Sequence, residues 1–133
     1  MAEINSIEHA RIDCGEVTLH CALAGEQGRP LLVLLHGFPE SWYSWRHQIP
    51  VLAQHFRVAA PSLRGYGESD RPKEVSAYVL PKLTGDVRGL IRGLGYEDAA
   101  IVGHDWGGGI AWAFAIDHPE ACRKLAVRNC PHP

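Results

Sequence analysis

The stretch that most constrains the fold of this chain runs from Ala99 to Ile116, where an apolar segment passes through a glycine-rich turn into a second apolar segment. At its centre the residues GHDWG, numbered 103–107, place one glycine two residues before Asp105 and another two residues after it. Glycine permits the sharp backbone turn that joins a strand directly to a helix. The spacing predicts a strand, a tight turn and a helix, with the Asp105 side chain exposed at the carboxyl end of the strand.

An exposed aspartate in such a turn has the position of a nucleophile. A carboxylate that attacks an acyl carbon gives a reactive anhydride, whereas attack on a saturated carbon gives a plain alkyl ester. Asp105 therefore indicates an epoxide or an alkyl halide as substrate. Water would hydrolyse the ester at the Asp105 carbonyl, with the backbone N–H of Trp106 as one donor of an oxyanion hole. The alternative is that Asp105 only caps the following helix.

The composition excludes several other classes of protein. A length of 133 residues fits one domain with its own core, so we expect residues 1–133 to form a single domain. The net charge of −2, with both signs interleaved, argues against a nucleic-acid partner. No apolar run reaches membrane-span length and the first residues do not resemble a secretory signal, so we expect no membrane partner and a cytoplasmic location.

Cysteine and histidine spacing gives no sign of a metal site or a disulfide framework. We therefore expect no metal, no cofactor and free thiols. The thiols are Cys14, Cys21, Cys122 and Cys130.

Hydrophobic patterning predicts an α/β fold, with a mostly parallel sheet and flanking helices after a leading antiparallel hairpin. The hairpin spans residues 8–14 and 17–24, and the further strands are 31–35, 56–60, 99–102 and 124–127. The predicted helices are one that runs from a Ser41 cap to Gln54 and is kinked or shortened by Pro50, then 78–94, and then 107–118. Ligands of such sheets bind beyond the carboxyl ends of the strands, where residues 36 and 103 begin their loops.

Several motifs in this order resemble the α/β-hydrolase superfamily, and within it the epoxide hydrolases. They are HGFPE at 36–40, SWYSWRHQIP at 41–50, RGYGESD at 64–70, KLTGDV at 82–87, GHDWGG at 103–108 and NCPHP at 129–133. The resemblance runs from about Ile12 to the last residue. It implies a partial core domain, the N-terminal half of an α/β-hydrolase fold.

The resemblance also implies roles for particular residues. Asp105 would be the nucleophile, and the backbone N–H groups of Phe38 and Trp106 would form the oxyanion hole. The peptide bond between Phe38 and Pro39 would be cis, as is common in the family. The pocket for a small-molecule epoxide would be bordered by His36, Pro39 and Trp106.

Other parts of the family's machinery are not found in this sequence. In the family, a helical cap with two tyrosines comes next, followed by the C-terminal core strands with a water-activating histidine and its carboxylate. Without that base we expect little or no turnover from the 133-residue chain. The last predicted strand would lie at an open sheet edge, so we expect either a homodimer or a complementing C-terminal fragment there.

Two alternatives to an epoxide hydrolase stay open. A haloalkane dehalogenase-like enzyme would use the same ester chemistry, although that family usually has asparagine at the position of Phe38. A non-catalytic half-domain that serves assembly would need the scaffold but not the chemistry. A serine esterase is disfavoured because Asp105, and not serine, occupies the turn.

Overall fold

The computed structural model describes residues 7–129. Its strands are β1 (Glu8–Asp13), β2 (Thr18–Ala24), β3 (Leu31–Leu35), β4 (Arg57–Pro61), β5 (Ala99–His104) and β6 (Cys122–Arg128). Its α-helices are α1 (Gln48–Leu52), α2 (Leu80–Gly93) and α3 (Trp106–Asp117). Three short 3₁₀ helices lie at Trp42–Trp45, Val75–Tyr78 and Pro119–Ala121.

The strands form one six-stranded sheet in the order β1-β2-β4-β3-β5-β6. β2 pairs antiparallel with both β1 and β4, whereas β4, β3, β5 and β6 run parallel to one another. In register, Leu35 lies opposite Gly103, which in turn lies opposite Val127. The predicted α/β fold with a leading hairpin is thereby confirmed, and the carboxyl ends of β3, β5 and β6 meet at one edge.

The sheet separates two apolar clusters, so the molecule has three layers. Alternate residues of β3 point to opposite faces, as in any strand. Val33 and Leu35 join the cluster that contains α2 and α3, while Leu32 and Leu34 join the cluster with Ile49 of α1. Burial on both faces explains why all five residues of β3 are apolar.

The helix predicted after Ser41 is two short elements. The Ser41 hydroxyl accepts a hydrogen bond from the Tyr43 N–H at 3.4 Å and caps the 3₁₀ helix Trp42–Trp45. Helix α1 then begins at Gln48, so Pro50 lies in its first turn. A proline there loses no helical hydrogen bond. Pro50 is therefore compatible with the start of α1 and does not kink a longer helix.

Other predicted bounds differ by a few residues. Helix α2 begins at Leu80 instead of Tyr78, because Val75–Tyr78 forms its own 3₁₀ helix. Strands β5 and β6 are longer than predicted, since they pair with each other up to His104 and Arg128.

Cys14, Cys21 and Cys122 are free thiols, as predicted. Cys130 and the motif NCPHP after its first residue lie outside the described residues. Within residues 7–129, none of the helices has the length and apolar character needed to cross a membrane.

Candidate active site

The turn between β5 and α3 holds Asp105 in a backbone conformation that non-glycine residues rarely adopt. Its φ is 57° and its ψ is −120°, and such values persist only where the surroundings fix them. Both flanking glycines are sterically required. A Cβ on Gly103 would lie 2.3 Å from the carbonyl oxygen of Gly107, and a Cβ on Gly107 would lie 2.3 Å from that of Leu35. Gly103 is thus required where the two ends of the turn meet, and Gly107 where the turn packs against the end of β3. The Asp105 side chain between them is exposed.

The Asp105 side chain does not cap α3, although it precedes the helix. Instead its Oδ2 accepts a hydrogen bond from the backbone N–H of Phe38 at 3.2 Å. The backbone N–H groups of Trp106 and, to a smaller extent, of Phe38 hold the pKa of the Asp105 carboxyl below its usual range. The carboxylate is therefore ionised at neutral pH, and its charge is held between backbone N–H groups of two separate loops.

The loop after β3 reaches Asp105 because it contains a glycine at the point of contact. A Cβ on Gly37 would lie 2.7 Å from the Cβ of Asp105. The next peptide bond, between Phe38 and Pro39, is cis. This loop thus brings the Phe38 N–H to the carboxylate from one side, while α3 brings the Trp106 N–H from the other.

A cavity of about 520 Å³ opens beside Asp105. Its walls are mostly aromatic and aliphatic, and they consist of Phe38, Leu63, Arg64, Tyr66, Tyr78, Leu83, Asp105, Trp106 and Ile110. Trp106, which we expected to border the pocket, lies in this lining. His36 and Pro39, for which we expected the same, do not.

His36 lies beneath the site with only 1% of its surface exposed. Its Nε2 accepts a hydrogen bond from the backbone N–H of Leu63 at 2.9 Å, and its Nδ1 lies 2.9 Å from the carbonyl oxygen of Gly37. An N–H can only donate and a carbonyl can only accept, so the proton of the neutral ring is on Nδ1. Burial lowers the pKa of His36. This residue ties the loops after β3 and β4 together and does not line the cavity at Asp105.

Pro39 and His104 also do not line the cavity at Asp105. Pro39 borders a second groove. His104 Nε2 lies 3.1 Å from the side-chain nitrogen of Asn129, and its Nδ1 lies 3.9 Å from a carboxylate oxygen of Glu40. Among residues 7–129, no histidine nitrogen is hydrogen-bonded to Asp105.

Arg64 is a buried part of the cavity wall that the sequence did not reveal. Its Nε and Nη2 donate to the two carboxylate oxygens of Asp86, each at 2.7 Å, and its Nη1 donates to Glu16 at 2.8 Å. The hydrogen bonds with Asp86 raise the pKa of Arg64 above its ordinary value. Its place in the loop after β4 fits the rule for ligand positions at strand ends. No pattern in the sequence connects it to carboxylates 48 and 22 residues away.

Tyr66 and Tyr78 were also not predicted as wall residues. The Tyr78 hydroxyl donates to the carbonyl oxygen of Pro72 at 2.6 Å, so that side chain is fixed by its own loop. In the part of the chain that the structure describes, no three histidine, cysteine or acidic side chains come together as metal ligands.

Comparison with known families gives a match to the family described as having an alpha/beta hydrolase fold, over residues 30–133. Epoxide hydrolase 4 from Mus musculus is 49% identical over 125 residues, which cover 94% of this chain and 35% of that relative. The chain thus spans about a third of the length of the curated relatives it matches.

Solved structures show the same relationship. Epoxide Hydrolase A from Mycobacterium thermoresistibile superposes with a TM-score of 0.89 at 43% identity, covering 91% of this chain and 38% of that one. An epoxide hydrolase from Vigna radiata superposes with a TM-score of 0.94 at 38% identity, covering 98% of this chain and 42% of that one. Backbone geometry and sequence therefore point to the same group of proteins.

Proposed function

Because this chain belongs to the α/β-hydrolase fold family, we propose that it is part of the core domain of an epoxide hydrolase and that Asp105 is the nucleophile. The observation that carries the proposal is the exposed Asp105 carboxylate, held against the Phe38 N–H beside an apolar cavity. The names of the similar proteins support a small-molecule epoxide as the substrate.

In the first step, a carboxylate oxygen of Asp105 forms a bond to a carbon of the epoxide ring. The ring C–O bond breaks, its electron pair goes to the ring oxygen, and that oxygen takes a proton to become a hydroxyl. Oδ2 is engaged by the Phe38 N–H, so Oδ1 is the attacking atom in this scheme. The lowered pKa of Asp105 supplies the ionised form that the attack requires.

In the second step, water attacks the carbonyl carbon of the ester and gives up a proton to a base. Negative charge then develops on the oxygen that the backbone N–H groups of Phe38 and Trp106 face, and both would stabilise it as an oxyanion hole. The acyl C–O bond then breaks, the diol leaves with that proton, and the Asp105 carboxylate is restored. Activation of the water needs a general base, which contributes about 10²–10⁴-fold in typical enzymes. Since no described histidine is hydrogen-bonded to Asp105, we propose that residues 7–129 form the ester but hydrolyse it slowly, with little or no turnover.

A partner for the sheet edge belongs to the same proposal. β6 pairs with β5 on one side, and among the described residues no strand pairs with its other side. Unpaired strand edges attract further strands. We propose that either a second copy of this chain or a C-terminal segment of the complete enzyme occupies this edge.

The test is the intact mass of the chain after incubation with styrene oxide. We expect a gain of one styrene oxide molecule on the native chain and no gain on Asp105→Asn, because the amide is a far weaker nucleophile. The same sample, measured under native conditions, shows whether the chain is a monomer or a dimer.

Two results would contradict the nucleophile assignment. An equal gain on the Asp105→Asn variant would place the reaction on another side chain. A folded native chain that never gains mass would favour a non-catalytic half-domain.

Ester formation with an alkyl bromide, but not with the epoxide, would favour the dehalogenase alternative.

A further inference from the structure

The β1–β2 hairpin brings two histidines together on one face of the sheet. In the strand register His20 lies opposite Arg11 and His9 lies opposite Ala22, so the two imidazoles are diagonal neighbours. His9 Nδ1 lies 3.0 Å from His20 Nε2, and the planes of the two rings are within 5° of parallel. At this distance one nitrogen donates a hydrogen bond to the other.

Trp42 packs against both imidazoles from the loop after β3. The centre of its ring lies 4.9 Å from that of His9 and 6.3 Å from that of His20, and the ring planes are steeply inclined to each other. Trp42 begins the 3₁₀ helix Trp42–Trp45 and follows Phe38 by four residues. We refer to His9, His20 and Trp42 together as the histidine contact. It joins the hairpin to the loop that carries Phe38.

The histidine contact is compatible with one extra proton but not with two. An imidazolium and a neutral imidazole can share the hydrogen bond, because one facing nitrogen carries a proton and the other does not. The single charge can lie on His9, which is exposed to water. If His20 is charged as well, both facing nitrogens carry a proton and the two positive charges repel each other.

The surroundings of His20 also disfavour its charged form. Its Nδ1 is buried and has no hydrogen-bond partner among the residues that the structure describes. A charged imidazole has an N–H at both nitrogens, so the Nδ1–H of His20 would be buried without an acceptor. Burial lowers the pKa of His20, and the charge of His9 lowers it further. A protonated His20 therefore favours a position nearer to water, away from Trp42.

Nearby charged groups do not remove this conflict. Arg11 and Glu68 line the same 430 Å³ pocket as the two histidines, and the 3₁₀ helix contributes only Trp42 to it. Arg11 lowers the pKa of His20, whereas Glu68 raises it. Arg11 also donates to a carboxylate oxygen of Asp70 at 2.9 Å, so that carboxylate is already paired. Within residues 7–129, no carboxylate oxygen lies within salt-bridge distance of either imidazole.

We propose that the histidine contact is a proton-operated switch, which holds the 3₁₀ helix Trp42–Trp45 on the hairpin near neutral pH and releases it when His20 is protonated in acid. Release frees the end of the loop that carries Phe38 from the hairpin. The switch requires no reaction at Asp105, so its test is independent of the proposed function.

The experiment follows the indole N–H signal of Trp42 by NMR between pH 7 and pH 5, where histidine titrates. Trp42→Phe assigns the signal. We expect it to shift as the pH falls, while the signal of Trp112 on α3 stays at its position. His20→Gln should abolish the shift, because an amide does not titrate. His9→Gln should move the midpoint of the shift to higher pH, because the repelling charge is gone.

His118→Gln is the matched control. His118 also lies against an aromatic ring, that of Phe114 at 5.2 Å between centres, but its charged neighbour is Glu120 and not an imidazole. This variant should keep the Trp42 shift and its midpoint. The native position of the Trp112 signal shows that each variant is folded.

Four results would overturn the proposal. The Trp42 signal could stay in place between pH 7 and pH 5, or it could shift equally in the His20→Gln variant. A midpoint that moves to lower pH in His9→Gln would contradict the repulsion between the two imidazoles. Equal changes at Trp42 and Trp112 would mean that the whole chain unfolds and that no local switch exists.

Discussion

At the scale of single residues, His36 shows how a buried polar side chain can support a site without entering it. The ring accepts from Leu63 through Nε2 and points Nδ1 at the Gly37 carbonyl, so both nitrogens have partners only when the ring is neutral. Protonation of His36 at Nε2 would place its new N–H donor against the N–H donor of Leu63. This geometry acts in the same direction as burial, which lowers the pKa of His36.

The expected consequence is a pH-dependent stability. The folded pKa of His36 lies below the unfolded value of about 6.5, so the unfolded chain binds more protons between the two values. The free energy of unfolding therefore falls as pH drops below about 6.5. Urea unfolding between pH 7 and pH 5 checks this. His36→Gln should reduce the dependence and leave the part due to His20, whose pKa burial also lowers.

The control for His36 is His55→Gln, since His55 is exposed. This variant should keep the full pH dependence of the native chain. A slope that disappears with His55, or survives undiminished without His36, would assign the effect to another group.

Residue positions could be predicted from the sequence where backbone sterics fix them. Asp105 was placed correctly at the turn because the close backbone contacts on each side of it admit only glycine, and that requirement is visible in the sequence. His36 and Pro39 do not line the cavity at Asp105, because proximity in sequence to Phe38 does not determine which residues of a loop reach a cavity. Arg64, Tyr66 and Tyr78 depend on contacts between distant segments, which periodicity does not report.

At the scale of elements, α2 packs against the β1–β2 hairpin through a glycine. A Cβ on Gly89 would lie 2.0 Å from the carbonyl oxygen of Cys14, whereas a Cβ on Gly85, one helical turn earlier, would meet nothing within 4 Å. The two glycines therefore have opposite expected effects when a methyl group is added.

We expect Gly89→Ala to lower the free energy of unfolding by about 1–3 kcal/mol, because the helix must move away from the hairpin. Gly85→Ala should raise it by about 0.5–1 kcal/mol, since alanine is the better helix former and the site is open. Urea unfolding of the two variants measures both effects. Changes of the same sign would mean that helix propensity, and not this contact, decides the outcome.

Element type was easier to predict than element bounds. The unbroken apolar run of β3 and the helical spacing in α2 reflect burial, which extends over a whole element. The helix ends near Ser41 and Pro50 depend on one side-chain cap and on the N–H that proline lacks. Several divisions of this segment into short helices satisfy both conditions equally well. The longer β5 and β6 result from pairing with each other, which no single segment encodes.

At the scale of the whole molecule, Arg64 joins three separate regions: the loop after β4, the hairpin turn through Glu16, and α2 through Asp86. The side chains of Arg64 and Asp86 are 1% and 4% exposed, while that of Glu16 is 54% exposed. Asp86 therefore binds the guanidinium in the protein interior, whereas Glu16 binds the same guanidinium at the surface.

Asp86→Asn should lower the free energy of unfolding by about 3–5 kcal/mol, because it leaves a buried guanidinium without its bidentate partner. Glu16→Gln should lower it much less than Asp86→Asn does, as water screens that exposed contact. Thermal or urea unfolding of both variants checks the difference. Equal losses would show that burial does not set the strength of this network.

The backbone N–H of Asp105 donates to the carbonyl oxygen of Arg128 at 3.0 Å, at the end of β6. The edge strand is thus one hydrogen bond away from Asp105. If a further segment pairs with β6, as proposed for this edge, it would also determine how firmly that carbonyl is held, and with it the Asp105 backbone. Under that proposal, assembly of the molecule and the position of the nucleophile are linked mechanically through a single peptide group.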